Sequence, residues 1–120
     1  MLQTVLDALQ ELRSPFAFCE MDLHAMVRKC LTDHGIAFVH EARIGAGCRI
    51  DYLAGNVGIE IKKGKPDARA LSAQLARYAG CDQISALVVL TQRSVSLPKR
   101  IGSIPVYGLV LNQLWGVALP

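Results

Sequence analysis

The chain has 120 residues, a hydrophobic share of 52% and a mean hydropathy of +0.30, so it is long enough for one buried core and too apolar for a disordered segment. Its net charge of +3 is compatible with an anionic partner but does not by itself indicate nucleic acid. No apolar run reaches the roughly 18 residues of a membrane span, and the first eleven residues contain acids. We therefore expect a single domain over residues 1–120, with a cytoplasmic location and no membrane association.

The spacing of apolar residues predicts an alternation of helices and strands in chain order. Helices are predicted at 2–12, 18–34 and 67–79, and strands at 36–44, 49–54, 57–63, 84–91 and 104–111. Pro66 is suited to the first position of the third helix, and residues 91–103 read as a polar loop. This order predicts an α/β fold with a mixed central sheet flanked by helices. An antiparallel three-strand meander would lead through a crossover helix to a buried parallel strand.

Asp51 and the Glu60–Lys62 segment are the most informative pair of features. The Gly-Asn pair at 55–56 predicts a two-residue hairpin turn, which would place Asp51 opposite Glu60. Opposed residues have Cβ atoms roughly 4.5–5.5 Å apart, and Lys62, two residues after Glu60, would share their face. Two carboxylates repel each other unless a cation lies between them. The pattern therefore predicts a metal site with an adjacent ammonium group, which suits phosphodiester hydrolysis.

This combination resembles the PD-(D/E)xK nuclease superfamily, which includes Holliday-junction resolvases, RecB-type nucleases and many restriction endonucleases. Asp51 matches the isolated aspartate, and Glu60-Ile61-Lys62 matches the E-x-K motif. The segment 49–51 is similar to the common R-I-D lead-in, although Ile50 stands where the superfamily's name has proline. The resemblance covers roughly residues 18–110. It implies a restriction-endonuclease-like αβββαβ core.

The resemblance also implies a Mg2+-dependent deoxyribonuclease, with Mn2+ as a substitute metal. Asp51, Glu60 and the carbonyl of Ile61 would hold the metal through oxygen ligands. Lys62 would position or deprotonate the attacking water, or stabilise the developing negative charge.

A third carboxylate is expected from Glu20, at the start of the second helix, as in resolvase-like relatives. Glu41 is the competing candidate. In a regular hairpin Asp51 would face Ala42 and leave Glu41 on the other side of the sheet, whereas a β-bulge would reverse that arrangement. We therefore expect Glu20 in preference to Glu41.

Several further residues are candidates for contacts with the substrate. His24 lies one helical turn after Glu20 and could contact the scissile phosphate. Gln74 and Tyr78 share one helical face, as in the Q-x-x-x-Y element of RecB-type members, and could support the site or contact DNA, with Gln74 near the catalytic lysine. Basic residues after the catalytic strand could neutralise backbone phosphates without reading sequence, namely Lys63, Lys65 and Arg77.

The expected partner is DNA, and RNA stays open because metal-assisted hydrolysis does not depend on the sugar. A domain of this size would act as a homodimer or beside protein partners, and the apolar tail could supply a dimer surface. The alternative function is a non-catalytic or partner-dependent nucleic-acid-binding module of the same fold. A third reading is an unrelated α/β binding protein in which the motif is accidental.

Overall fold

The structure is a computed structural model that describes residues 1–12 and 20–111, without the side chain of Glu20. The helices are α1 (Leu2–Leu9), α2 (Glu20–Asp33) and α3 (Ala68–Ala79), and the strands are β1 (Val39–Gly45), β2 (Cys48–Ala54), β3 (Val57–Lys62), β4 (Ala86–Thr91), β5 (Arg100–Ile101) and β6 (Ile104–Val110). Within the described ranges, each helix is too short or too polar to cross a membrane. The predicted dimer surface in the tail, 112–120, lies outside the described residues.

The strands form one mixed sheet in the order β1-β2-β3-β4-β6-β5. β1, β2 and β3 make an antiparallel meander, and α3 connects β3 to the parallel strand β4. β6 lies parallel to β4 and antiparallel to the short β5. The predicted α/β class, mixed sheet and crossover are confirmed. The polar loop predicted for 91–103 is wrong in part, because β5 lies within it. A strand of two residues is too short to show an alternating pattern in the sequence.

Helices cover the sheet on both faces. α1 and α2 pack on one face, against buried residues of β2, β3 and β4, and we call this the α1/α2 face. α3 packs on the other face, against buried residues of β1, β2, β4 and β6, and we call this the α3 face. All six residues of β4 are buried, as expected of a strand covered on both faces.

The helix ends follow their capping residues. Gly35 follows α2 in the left-handed conformation, at φ 69°, which is the predicted role of that glycine. The side chain of Asp67 caps α3 by accepting a hydrogen bond of 3.1 Å from the N–H of Ala70. The prediction that Pro66 begins this helix is wrong, because proline has no side-chain acceptor and the capping aspartate follows it. α1 ends at Leu9, before the predicted end at residue 12.

The hairpin between β2 and β3 has the predicted register. Ala54 pairs with Val57 across a two-residue turn, and Gly55 adopts the positive φ of 63° that such a turn requires. The pairing continues to Tyr52 opposite Ile59, where the regular ladder ends. One step further along this register brings Asp51 opposite Glu60.

The predicted register between β1 and β2 is wrong. Ala42 pairs with Ile50 rather than with Asp51, because the register shifts by one residue between Arg43 and the end of β1. In the observed register Glu41 occupies the position opposite Asp51. The β-bulge is therefore present, and it places Glu41 rather than Ala42 opposite Asp51.

Both strands of this hairpin also change the face that they present to the helices. Ile50 packs on the α3 face, whereas Tyr52, two residues later, packs on the α1/α2 face. His40 of β1 stacks on Tyr52 and so lies on the α1/α2 side as well. In a regular strand, residues two apart share a face. The change occurs at Asp51 in β2 and at Glu41 in β1, where the backbone adopts a φ of 51°. Asp51 therefore lies at an irregular point of the sheet, with its side chain partly exposed.

Candidate active site

Glu60 is a buried carboxylate, 4% exposed, on the α3 face of β3. Its neighbours in sequence, Ile59 and Ile61, are buried on the opposite face, as the alternation of a strand requires. Oε2 of Glu60 lies 3.3 Å from Nζ of Lys62, and Oε1 lies 3.2 Å from the hydroxyl of Tyr78. The carboxylate is therefore held between an ammonium group and a phenol.

Burial raises the pKa of Glu60 to about 7, and the nearby charge of Asp51 acts in the same direction. Lys62 and the hydrogen bond from Tyr78 oppose this shift without cancelling it. Both a dry environment and a like charge disfavour the ionised carboxylate. The ionised form of Glu60 would therefore gain from an additional cation beside the two acids.

Asp51 is fixed by the backbone of the neighbouring strand. Its Oδ2 accepts a hydrogen bond of 2.8 Å from the N–H of Ile61, and the same oxygen lies 3.8 Å from Nε2 of His24. The N–H and the carbonyl of one strand residue point to the same edge of that strand, so the carbonyl of Ile61 also faces β2. The Asp51 side chain thus takes the place of the backbone carbonyl that would accept this hydrogen bond in a regular ladder, at the point where β2 and β3 separate.

Tyr78 connects α3 to the two strands. Its hydroxyl accepts a hydrogen bond of 2.9 Å from Nε2 of Gln74 and lies 2.9 Å from the carbonyl oxygen of Arg49. The single hydroxyl proton is shared between that carbonyl and Glu60, since both are acceptors. Burial and the charge of Glu60 raise the pKa of Tyr78, so the phenol stays protonated and acts as a donor. The structure places Tyr78 against the carboxylate, and Gln74 against Tyr78.

A group of aromatic rings lies on the other side of Asp51. The ring centroids of His24 and His40 are 5.7 Å apart, and His40 stacks on Tyr52 at 4.6 Å. The hydroxyl of Tyr52 donates a hydrogen bond of 3.0 Å to the carbonyl of His24. Sequence reasoning assigned no role to His40. The observed β1–β2 register pairs His40 with Tyr52. Because this register was predicted wrongly, the position of His40 beside the site was missed.

The remaining predicted site residues are three basic residues and the two candidates for a third carboxylate. Lys63, Lys65 and Arg77 are exposed, and their contact with a polyanion stays a prediction. α2 begins at Glu20, but its side chain lies outside the described part of the chain, so its role as third carboxylate stays a prediction. Glu41 is exposed and stands at the register position opposite Asp51.

The donors present fit a hard divalent cation. Asp51 and Glu60 supply carboxylate oxygens, and the carbonyl of Ile61 lies on the same edge, which is the ligand chemistry that Mg2+ and Mn2+ prefer. Among the described side chains, no group of three or more His, Cys, Asp or Glu is arranged to hold a metal ion. Within the described part of the chain, the ligands for such a site would therefore be two carboxylates and the backbone carbonyl.

Comparisons with protein-family models, with curated proteins and with solved structures found no match to this chain. The fold and the site define an α/β domain with a carboxylate pair and a lysine where two strands separate.

Proposed function

We propose that this protein is a metal-dependent nuclease that hydrolyses phosphodiester bonds of DNA. One observation carries the proposal: Glu60 is buried in contact with Lys62 and close enough to Asp51 for the two acids to interact. Strongly perturbed carboxylates with specific charged neighbours are frequent at catalytic sites. The resemblance of the D-x(8)-E-x-K spacing to PD-(D/E)xK nucleases points to the same chemistry.

A purely structural role explains this arrangement poorly. Burying an acid and an amine is no more favourable than burying apolar residues of the same size, and a second acid nearby adds repulsion. Among the residues that the structure describes, the core on both faces of the sheet is otherwise apolar, apart from Thr91. A buried acid at this position therefore lowers stability and requires another reason to be present.

Each residue has a distinct role in the proposed reaction. Asp51, Glu60 and the Ile61 carbonyl would hold Mg2+ or Mn2+, with Glu20 as a further carboxylate. The bound metal would polarise the scissile phosphate and lower the pKa of an attacking water. Lys62 would donate a hydrogen bond to the negative charge that develops on the phosphate.

The surrounding side chains would hold this arrangement and bind the substrate. Tyr78, itself bonded to Gln74, fixes one oxygen of Glu60 and leaves the other to Lys62. His24, beside Asp51, would contact the phosphate. Exposed basic residues would bind the backbone on either side, namely Lys63, Lys65 and Arg77. Two copies of the chain, or a protein partner, would allow two strands to be cut.

The test is cleavage of supercoiled plasmid, single-stranded DNA, branched DNA and single-stranded RNA with Mg2+ or Mn2+. We expect metal-dependent cleavage by the wild type and a loss of about 100-fold or more in Lys62→Ala, which is the usual effect of removing one such group. Lys29→Ala is the matched control, because Lys29 is an exposed lysine that pairs with Asp33 on the surface of α2.

Thermal unfolding of the same proteins provides a measurement that does not depend on cleavage. Mg2+ should raise the midpoint of the wild type and have little effect on Asp51→Asn, because a ligand that binds only the folded state stabilises it. If the wild type cleaves no substrate and Mg2+ does not raise its unfolding midpoint, the proposal is overturned in favour of a binding module. Equal cleavage by wild type and Lys62→Ala would remove Lys62 from the mechanism. Cleavage of RNA alone would correct the substrate.

A further inference from the structure

Two arginines oppose each other at the β1–β2 edge of the sheet. Arg43 of β1 pairs directly with Arg49 of β2, and both side chains are exposed. Like charges in directly opposed positions of a sheet destabilise it. Across the residues that the structure describes, neither guanidinium has an acidic partner or a hydrogen bond to relieve that repulsion. The pair is therefore an uncompensated concentration of positive charge.

The two side chains line a surface cavity of about 370 Å³ together with Gly47 and Cys48, and we call this cavity the arginine pocket. Gly47 adopts a φ of 70°, and a Cβ built there would have no neighbour within 4 Å, so the turn leaves the pocket open. A guanidinium presents a planar fork of N–H donors that matches phosphate oxygens. Two forks beside one open cavity suit an anion with several acceptor oxygens.

The arginine pocket lies on the α1/α2 side of the sheet, which is the side of His24 beside Asp51, whereas Glu60 contacts Tyr78 on the α3 face. Ile50 packs on the α3 face, so its neighbour Arg49 points to the opposite side, which is the side of His40. Arg49 precedes Asp51 by two residues, a distance of about 6.6 Å along a strand. A chain of phosphates that reaches Asp51 can therefore continue along β2 to the arginine pocket.

We propose that Arg43 and Arg49 together bind a backbone phosphate of the nucleic-acid strand whose neighbouring phosphodiester lies at Asp51. This inference rests on the proposed nuclease function and names a substrate contact for it. Because phosphate contacts do not read bases, the pocket would add affinity and fix the register of the strand without adding sequence preference. The bound phosphate would also relieve the repulsion between the two guanidinium groups.

The test is binding of a fluorescently labelled single-stranded oligonucleotide, measured by anisotropy in EDTA so that no cleavage occurs. Arg43→Gln and Arg49→Gln should each weaken binding about tenfold, and the double variant should lose less than the product of the two losses, because both groups hold one phosphate. The salt dependence should fall by about 0.7 in slope for the double variant, which corresponds to one phosphate on single-stranded DNA. Arg49→Lys should restore binding only in part, because it keeps the charge and loses the fork.

The control is Lys99→Gln/Arg100→Gln, which removes the same charge around β5, at the opposite edge of the sheet. If the control weakens binding as much as the arginine variants do, net charge alone explains the result and the inference is wrong. Unchanged binding in both arginine variants also overturns it. Competition by polyglutamate as strong as that by polyphosphate would overturn it in favour of an acidic protein partner.

The outcomes separate this inference from the proposed nuclease. If the arginine variants bind normally and the wild type cleaves, the arginine pocket is excluded and the nuclease stands. If the wild type fails to cleave but binds through the two arginines, the nuclease is excluded and the phosphate site stands. Both arginines are exposed, so their variants should unfold at or slightly above the wild-type temperature.

Discussion

Two acid–base pairs of nearly equal length lie in different surroundings. On the surface between α1 and α2, Nε2 of His34 lies 3.1 Å from Oε2 of Glu11, whose side chain is 68% exposed. Under α3, Nζ of Lys62 lies 3.3 Å from Oε2 of Glu60, whose side chain is 5% exposed. Distance alone would make the two pairs equivalent. The charged form is nevertheless favoured in the surface pair and disfavoured at Glu60, because the surface pair stays in contact with water and Glu60 does not.

Both pKa values are raised, but for opposite reasons. The pKa of His34 is raised by a hydrogen bond to the carbonyl of Cys30 and then by Glu11, so the charged form of the histidine is favoured. The pKa of Glu60 is raised to about 7 by burial, so the charged form of the carboxylate is disfavoured despite its partner Lys62. An ion pair seen in a structure therefore need not stabilise it.

The largest expected effect is the stabilisation of the metal-free protein by Glu60→Gln. The folded pKa of Glu60 lies above its ordinary value of 4.5, so the stability from this group is present below pH 4.5 and is lost as the pH rises through about 7. At pH 8 the loss is about 3 kcal/mol, which an amide avoids. Urea denaturation at pH 8 should show that gain for Glu60→Gln, and the gain should vanish near pH 4.

Glu11→Gln is the matched control, because it makes the same change in the exposed pair and should leave the urea midpoint at pH 8 unchanged. A Glu60→Gln protein no more stable than the wild type at pH 8 would mean that Lys62 fully compensates the burial of the acid. In that case the contrast between the two pairs would disappear.

The next effect in size is a loss of stability in Tyr78→Phe. This change removes the hydroxyl that contacts Glu60, Gln74 and the carbonyl of Arg49, and leaves buried acceptors without a donor. The expected cost is about 1–3 kcal/mol in urea denaturation. The pKa of Glu60 should rise further, because the hydrogen bond from Tyr78 lowers it. A carboxylate titration followed by NMR would measure that rise.

Tyr107→Phe removes the same hydroxyl from an exposed tyrosine of β6 and serves as the control. It should change stability by less than about 0.5 kcal/mol. Equal effects of the two substitutions would contradict a specific role for Tyr78 beside Glu60.

The smallest effect is expected at the surface pair. In Glu11→Gln the pKa of His34 should fall towards 6.5 without reaching it, because the hydrogen bond to the Cys30 carbonyl is the larger cause of the shift. The raised pKa of His34 contributes stability below pH 6.5 that is lost as the pH rises through the folded value. NMR titration of the His34 ring would measure both values. A complete return to 6.5 would assign the whole shift to Glu11.

Regular features of the sequence were predicted well, whereas a bulge in one hairpin was not. The β2–β3 register was predictable because a two-residue turn with glycine at 55 permits few pairings. The β1–β2 register was not, because one extra residue near the turn moves every partner by one position. That single shift accounts for the wrong partner of Asp51 and for the position of Glu41.

The candidate site divides in the same way. The contact between Glu60 and Lys62 follows from the period of two in a strand, and the register position of Asp51 opposite Glu60 follows from the short hairpin, so the sequence by itself determined both. Only the tertiary structure decided that Tyr78 reaches Glu60 and that His40 lies beside His24, since each contact joins segments that are far apart in the chain. Local hydrogen bonding sets a hairpin, whereas contacts between distant segments depend on how the helices pack on the whole sheet.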